Sequence, residues 1–267
     1  MRSNSHNELF FQIAALLVSL ILVHAVFVTI IHPNAEATMQ AAMERVAQGE
    51  DFQVPRNIFI VLKDLEQEAC FILMFWALAI MGYKAYSLKQ QHKLLTYDLV
   101  QLADGTRILP DDAQQVGRHL EALEPQQKYT LLPTALMTAL NRFSVTGNVQ
   151  SATDAVNEVC ANEDDRLDSE LSMVRYITWA IPSIGFIGTV RGIGAALGQA
   201  HEAVAGDIAG VTASLGVAFN STFVALLISI VVMFLLYQLQ LNQERLVIDT
   251  RRYCEQYLLR HLKADRV

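Results

Sequence analysis

The chain has 267 residues, 52% of them hydrophobic and 18% charged, with a formal net charge of -7 and a mean hydropathy of +0.28. That is too apolar for an ordinary soluble domain, and no basic patch suited to nucleic acid is evident. Its three cysteines, Cys70, Cys160 and Cys254, show no CxxC or Cys/His spacing, so neither metal, redox chemistry nor any other cofactor is inferred.

Apolar residues gather into four runs. Run 9–31 carries no Asp, Glu, Lys or Arg, and at about 1.5 Å per residue it exceeds a hydrocarbon core of roughly 30 Å. Run 69–86 is shorter, with Trp76 inside and Tyr83, Lys84 and Tyr86 at its end as interfacial anchors. Runs 176–198 and 210–239 form a helical hairpin rich in Gly, Ser, Thr and Ala. The predicted fold is therefore an all-α, polytopic helical membrane protein in a lipid bilayer, with four transmembrane helices. Ala35-Glu36-Ala37, downstream of Arg2, resembles a signal-peptide cleavage site that would leave three spans. The apolar run is long for such a leader, whose apolar segment is usually about 7–15 residues, so four spans are expected.

Lys84, Lys89 and Lys93 follow the second run, and Arg245, Arg251, Arg252, Arg260, Lys263 and Arg266 follow the fourth, while connection 32–68 is acidic. Basic flanks stay inside, which predicts cytoplasmic termini. The expected organisation is a transmembrane pair over 1–88 with an outer connection 32–68, a cytoplasmic helical region 89–175, the hairpin 176–239 and a cytoplasmic C-terminal helix 240–267. A short outer helix is expected between the first two spans, punctuated by Pro33 and Pro55. Cytoplasmic helices are expected near 89–103, 111–122, 126–143 and 149–175, with a turn at Thr146-Gly147-Asn148 and a capped start at Ser151 with Asp154 in its first turn.

The hairpin carries the functional signal. Its first helix has Pro182, Gly185, Gly188, Gly192, Gly194 and Gly198; the pairs 188/192 and 194/198 have the spacing that lets membrane helices approach closely. At about 100° per residue, Ser214, Ala218, Ser221, Ala225 and Ser229 form one narrow, small and mildly polar stripe on the second helix. Leu215, Phe219, Phe223 and Leu226 are among the bulky opposite face. Arg191 is the strongly charged residue inside the third span and, as an intramembrane charge, a functional candidate. The alternative is that it snorkels outward toward Glu202 or Asp207. His24 is expected to pack rather than to relay protons, and Glu163, Asp164, Asp165, Asp168 and Glu170 are expected to form a solvated helix face.

Pro182, Gly185, Gly188-Thr189-Val190 and Gly192-Ile193, followed some twenty residues later by an Ala-rich span, resemble the TolQ/ExbB form of the MotA/TolQ/ExbB proton-channel hairpin. The additional N-terminal span is more like MotA. This resemblance implies a homopentamer around a single-span ExbD/TolR/MotB-like partner whose membrane aspartate exchanges protons, with ion flow converted into mechanical work or transport. It also implies a pore-facing role for Thr189. The alignment places Ala218 where the family often has a second threonine, leaving Ser214, Ser221 and Thr222 as further ion-path candidates. It places Ala213 nearest the membrane glutamate of ExbB. No central part of a predicted span contains Asp or Glu, so a conducting chain would borrow its partner's carboxylate. Thr189 could instead bond back to its own helix, and the serines could serve packing. A non-conducting oligomeric scaffold of the same fold stays open. No nucleophile elbow, Walker loop or zinc pair suggests an enzyme.

Overall fold

The structure, a computed structural model, describes residues 2–47, 57–100, 106–206 and 208–263. It is all-α. Among the described residues the only β feature is an isolated parallel bridge, Ile108 to Leu262. Among the described residues, four helical segments are long and apolar enough to cross a membrane: Glu8–Ala42, Leu65–Leu94, Val149–Gly198 and Ala209–His261. The chain divides into two units, Met1–Gly82 with Met173–Leu236 and Tyr83–Ser172 with Tyr237–Val267.

The first unit begins with α1 (Arg2–Val26), which passes through a π-helical turn, Phe27–Ile31, into α2 (His32–Ala47) without a break. Pro33 therefore does not end the first helix as expected. Proline lacks an N–H and its ring crowds the carbonyl four residues back, and the widened π turn immediately before it accommodates both defects. Asn34 Nδ2 donates to Ile30 O at 2.6 Å within this turn. Val23, Phe27 and Ile31 form a buried cluster with Leu62, Phe71 and Ile72 against it. The expected outer helix is thus a continuation of the first span; its 48–56 portion, including Pro55, lies outside the described residues. Asn57 caps α3 (Ile58–Leu62), its side chain accepting from Phe59 N at 3.2 Å. Then α4 (Leu65–Leu94) begins.

The hairpin consists of α9 (Ser172–Gly198) and α11 (Ala209–Tyr257), with the short α10 (Ala200–Val204) at its tip. Lipid tails are as apolar as leucine, so burial from water does not hold such helices together; close packing and hydrogen bonds do. The buried face of α9 includes Val174, Ile177, Ile181, Gly185, Gly188, Gly192 and Ala196. Trp179, Phe186, Ile187, Val190 and Leu197 are exposed, as suits a surface meeting hydrocarbon.

In the second unit, α5 (Ala113–Glu121), α6 (Pro125–Lys128), α7 (Leu131–Thr146) and α8 (Val149–Glu170) join the later parts of α4 and α11. Leu132, Leu136, Leu140 and Phe143 of α7 and Ala152, Val156, Cys160 and Leu167 of α8 are buried. Gly147 closes α7 at φ 61°, a left-handed conformation that glycine adopts without strain. Asn148 then caps α8 by accepting from Gln150 N at 2.8 Å. The helix thus starts at Val149, where the expected 149–175 helix begins, and its cap is Asn148 rather than the expected Ser151. The expected helix to residue 103 stops at Leu94. Beyond it, Tyr253 Oη of α11 donates to Tyr97 O and accepts from Leu99 N, both at 2.9 Å, which secures a non-helical path.

Candidate functional site

Why the hairpin is close-packed follows from its glycines. A Cβ built on Gly185 would lie 2.5 Å from Ala225 Cβ, one on Gly188 2.5 Å from Ser221 Cβ, and one on Gly192 2.7 Å from Ala218 N. These pairs descend along α9 as they ascend along α11, so the two helices pack antiparallel with no room for a side chain at those positions. Gly194 and Gly198 would meet nothing within 4 Å. The small stripe of α11 is therefore occupied by α9 itself, since Ala218, Ser221, Ala225 and Ser229 are all buried.

At the rim of this interface the half-buried Thr189 and Thr222 face each other, their hydroxyls directly hydrogen-bonded. Thr189 Oγ1 also reaches Ala218 O at 3.1 Å and Gly185 O at 3.3 Å, and Thr222 Oγ1 donates to Gly185 O at 3.0 Å. The hydroxyl opposite Thr189 thus comes from one helical turn beyond Ala218. The remaining candidates are separate from this pair: Ser221 Oγ donates to Val217 O at 2.8 Å, and Ser214 Oγ to Gln199 Oε1 at 3.3 Å. Pro182 lies within α9, partly buried.

Residues 127–252 match the MotA/TolQ/ExbB proton channel family, and this stretch contains α9 and all but the last residues of α11, with the threonine pair. Over these residues the chain is similar to the MotA/TolQ/ExbB proton channel family. Neither a curated protein nor a solved structure matches the chain. MotA/TolQ/ExbB proteins are channel and transducer subunits that work with partner proteins, rather than enzymes, and the four long apolar helices fit a multi-pass membrane member.

Arg191, inside the MotA/TolQ/ExbB region, does not reach outward to the hairpin tip. Its Nη2 binds Glu66 Oε2 at 2.7 Å, at the start of α4. A charge inside an apolar helix is accommodated by a paired carboxylate or by reaching an interface, and here it is paired. Two residues further on, Glu68 Oε1 lies 2.7 Å from His24 Nδ1 of α1, so His24 is ion-paired when protonated. Both glutamates are buried, at 8% and 7% exposure, against helices that bring their counterions.

Sequence reasoning missed these carboxylates because they precede the apolar run of the second span. The available signal was Arg191 itself, since a charge within one span calls for a partner at a comparable level of another. In the second unit, Glu170 pairs with buried Lys84 at 2.6 Å, and Glu163 and Glu170 both engage Arg166. That part of the acidic face is not simply solvated.

Proposed function

We propose that this chain is the proton-conducting, stator-type subunit of an inner-membrane energy-transducing complex. It assembles as a homopentamer around a single-span, aspartate-bearing ExbD/TolR/MotB-like partner. The observation that carries this reading is the Thr189–Thr222 hydroxyl pair at the rim of a glycine-packed hairpin within a proton-channel family region. Hydroxyls at a helix rim can exchange hydrogen bonds with water or with a neighbouring carboxyl, because each is both donor and acceptor. In this role Thr189 and Thr222 hydrogen-bond and orient the water that hands protons to the partner's aspartate. The gradient supplies about 2.3 kcal/mol per charge per 100 mV, and coupling converts it into mechanical work or transport. The basic flanks of the second and fourth spans support cytoplasmic termini.

A second reading has its own observation. Both threonine hydroxyls also bond to backbone carbonyls inside the hairpin, which is what a packed, non-conducting scaffold needs.

One experiment separates the two. The complex is extracted gently, its subunits are counted by native mass spectrometry, and its proton flux is measured in liposomes beside Thr189→Val. Conduction requires five copies with two single-span partners, and a flux that falls several-fold to about tenfold when one hydrogen bond in the path is lost. A homo-oligomer without partner or flux establishes the scaffold. Unchanged flux in a correctly assembled Thr189→Val complex removes Thr189 from the path.

A further inference from the structure

On a face of α11 that α9 does not cover, a groove of about 730 Å³ runs between α11, α3 and the start of α4. Gly216 and Ile228 both line it, and the helix between them gives it a length of about 18 Å. Asn220, also in its wall, is turned about 160° from Thr222 around α11, so the groove is separate from the threonine pair. Its polarity changes along its length. Asn57 and Asn220 contribute amides toward one end, and Phe71, Leu227 and Ile228 supply only hydrocarbon toward the other. A contact fixes the level of Asn220. A Cβ on Gly188 would meet Ser221, its neighbour in the chain, at 2.5 Å and Glu66 Cγ at 3.1 Å. Asn220 therefore stands level with the polar head of α4, where Asp64, Glu66 and Glu68 precede the apolar run 69–86. From there the groove descends into the span, in the direction in which a lipid passes from its ester region to its tails.

The two amides differ in what they have left to give. Asn57 is spent, accepting from Phe59 N and donating to Thr38 Oγ1, both at 3.2 Å. Asn220 is half-buried, and among the described residues its amide has no hydrogen-bond partner. An amide carries two N–H donors and an acceptor, and leaving it unpaired against hydrocarbon is costly. Fatty tails offer nothing to pair with it, whereas the ester carbonyls of a phospholipid accept. The size of the groove separates a lipid from a helix of a second copy. Spread over its length, the volume gives a mean cross-section of about 40 Å², less than half that of a helix about 10–12 Å across. Gly216 keeps the groove open, since a Cβ there would meet nothing within 4 Å. Its wall continues into the exposed Phe223 and Leu227, so it opens onto a face of α11 that meets the bilayer.

We propose that this groove holds one phospholipid, with an acyl chain lying along α11 from Gly216 to Ile228 and an ester carbonyl accepting from Asn220 Nδ2. The volume is ordinary for a site that is mostly apolar with a few placed polar groups. The lipid fills the seam between α11 and α3 and ties the connection before α4 to the hairpin. The site stands whether or not protons pass along the threonine rim.

The test is photolabelling of the full chain, with any co-purifying partner retained, in nanodiscs containing a phospholipid that carries a diazirine on its acyl chain. Adducts are mapped by peptide mass spectrometry. The expected result is labelling concentrated at Phe71, Leu227 and Ile228, above that at the exposed Phe186 and Ile187 of α9. Gly216→Leu, which puts a side chain into the groove, lowers this labelling several-fold. Gly194→Leu, in open space on α9, leaves it unchanged. In native mass spectrometry of the detergent-extracted complex, Asn220→Leu lowers the retained phospholipid about 2- to 10-fold, the factor that one hydrogen bond gives. Equal labelling on all faces in every variant means ordinary bilayer contact and overturns the proposal. So does a groove left unlabelled in the intact complex because a neighbouring chain covers it. If Gly216→Leu does not assemble, unchanged lipid retention in assembled Asn220→Leu overturns it.

Discussion

At the scale of single residues, the chemistry sits in polar side chains that the membrane obliges to find partners. Arg191 and Glu66 are an example, since removing either leaves the other charged or polar in an apolar setting. Glu66→Gln is expected to destabilise the folded chain by up to about 2.5–3.5 kcal/mol, the range for an uncompensated arginine in a membrane helix. A double-mutant cycle with Arg191→Gln should return a coupling of about 0.5–3 kcal/mol in detergent unfolding. Additive single effects would show that the 2.7 Å contact contributes nothing. Asp64 gives a pH dependence of definite sign. Its folded value is raised above the ordinary 3.8, so between the two values the folded state binds more protons than the unfolded. Its contribution is fully present below the ordinary value and lost as pH rises through the raised one. Thermal unfolding of Asp64→Asn should therefore fall less steeply with pH over that window. Thr189, Thr222 and Arg191 were legible in the sequence as candidates. The pairing of the first two and the partner of the third were not, because both depend on which residues α9, α11 and α4 bring level.

At the scale of elements, the hairpin separates glycines that sequence spacing makes equivalent. Both 188/192 and 194/198 have the close-packing spacing, yet only Gly188 and Gly192 touch α11. Gly192→Ala would press a methyl against the Ala218 backbone and is expected to cost about 1–3 kcal/mol by overpacking. Gly194→Ala meets open space and removes a poor helix former, so the expected outcome is no loss and a gain of up to about 1 kcal/mol. Unfolding of the two variants in the same detergent checks this. Equal effects would mean that α9 and α11 do not pack in this register. Apolar run length exposed all four long helices, because it depends only on local composition. It could not expose the π turn that carries the first helix through Pro33, nor the end of α4 at Leu94, where Tyr253 lies 156 residues from the carbonyl it binds. Such features are set by distant partners, and the sequence around them resembles ordinary helix.

For the molecule as a whole, the orientation in the membrane rests on charge asymmetry, and the buried state of the native cysteines makes it measurable. Cys70, Cys160 and Cys254 are each 0% exposed, so a polar maleimide should label the unmodified chain poorly while it is folded. A cysteine placed at an exposed position then reports its own side of the membrane. His201 at the hairpin tip and Arg252 near the end of α11 are suitable, with side chains 78% and 64% exposed. If the basic flanks are cytoplasmic, His201→Cys is labelled by an impermeant maleimide added outside spheroplasts, whereas Arg252→Cys is labelled only after the membrane is opened. The reverse pattern would invert the orientation and turn the polar head of α4, with Asp64, Glu66 and Arg191, toward the cytoplasm. That distinction bears on mechanism, because Arg191 lies about two helical turns before the tip end of α9, so its pair with Glu66 lies toward whichever compartment the tip faces.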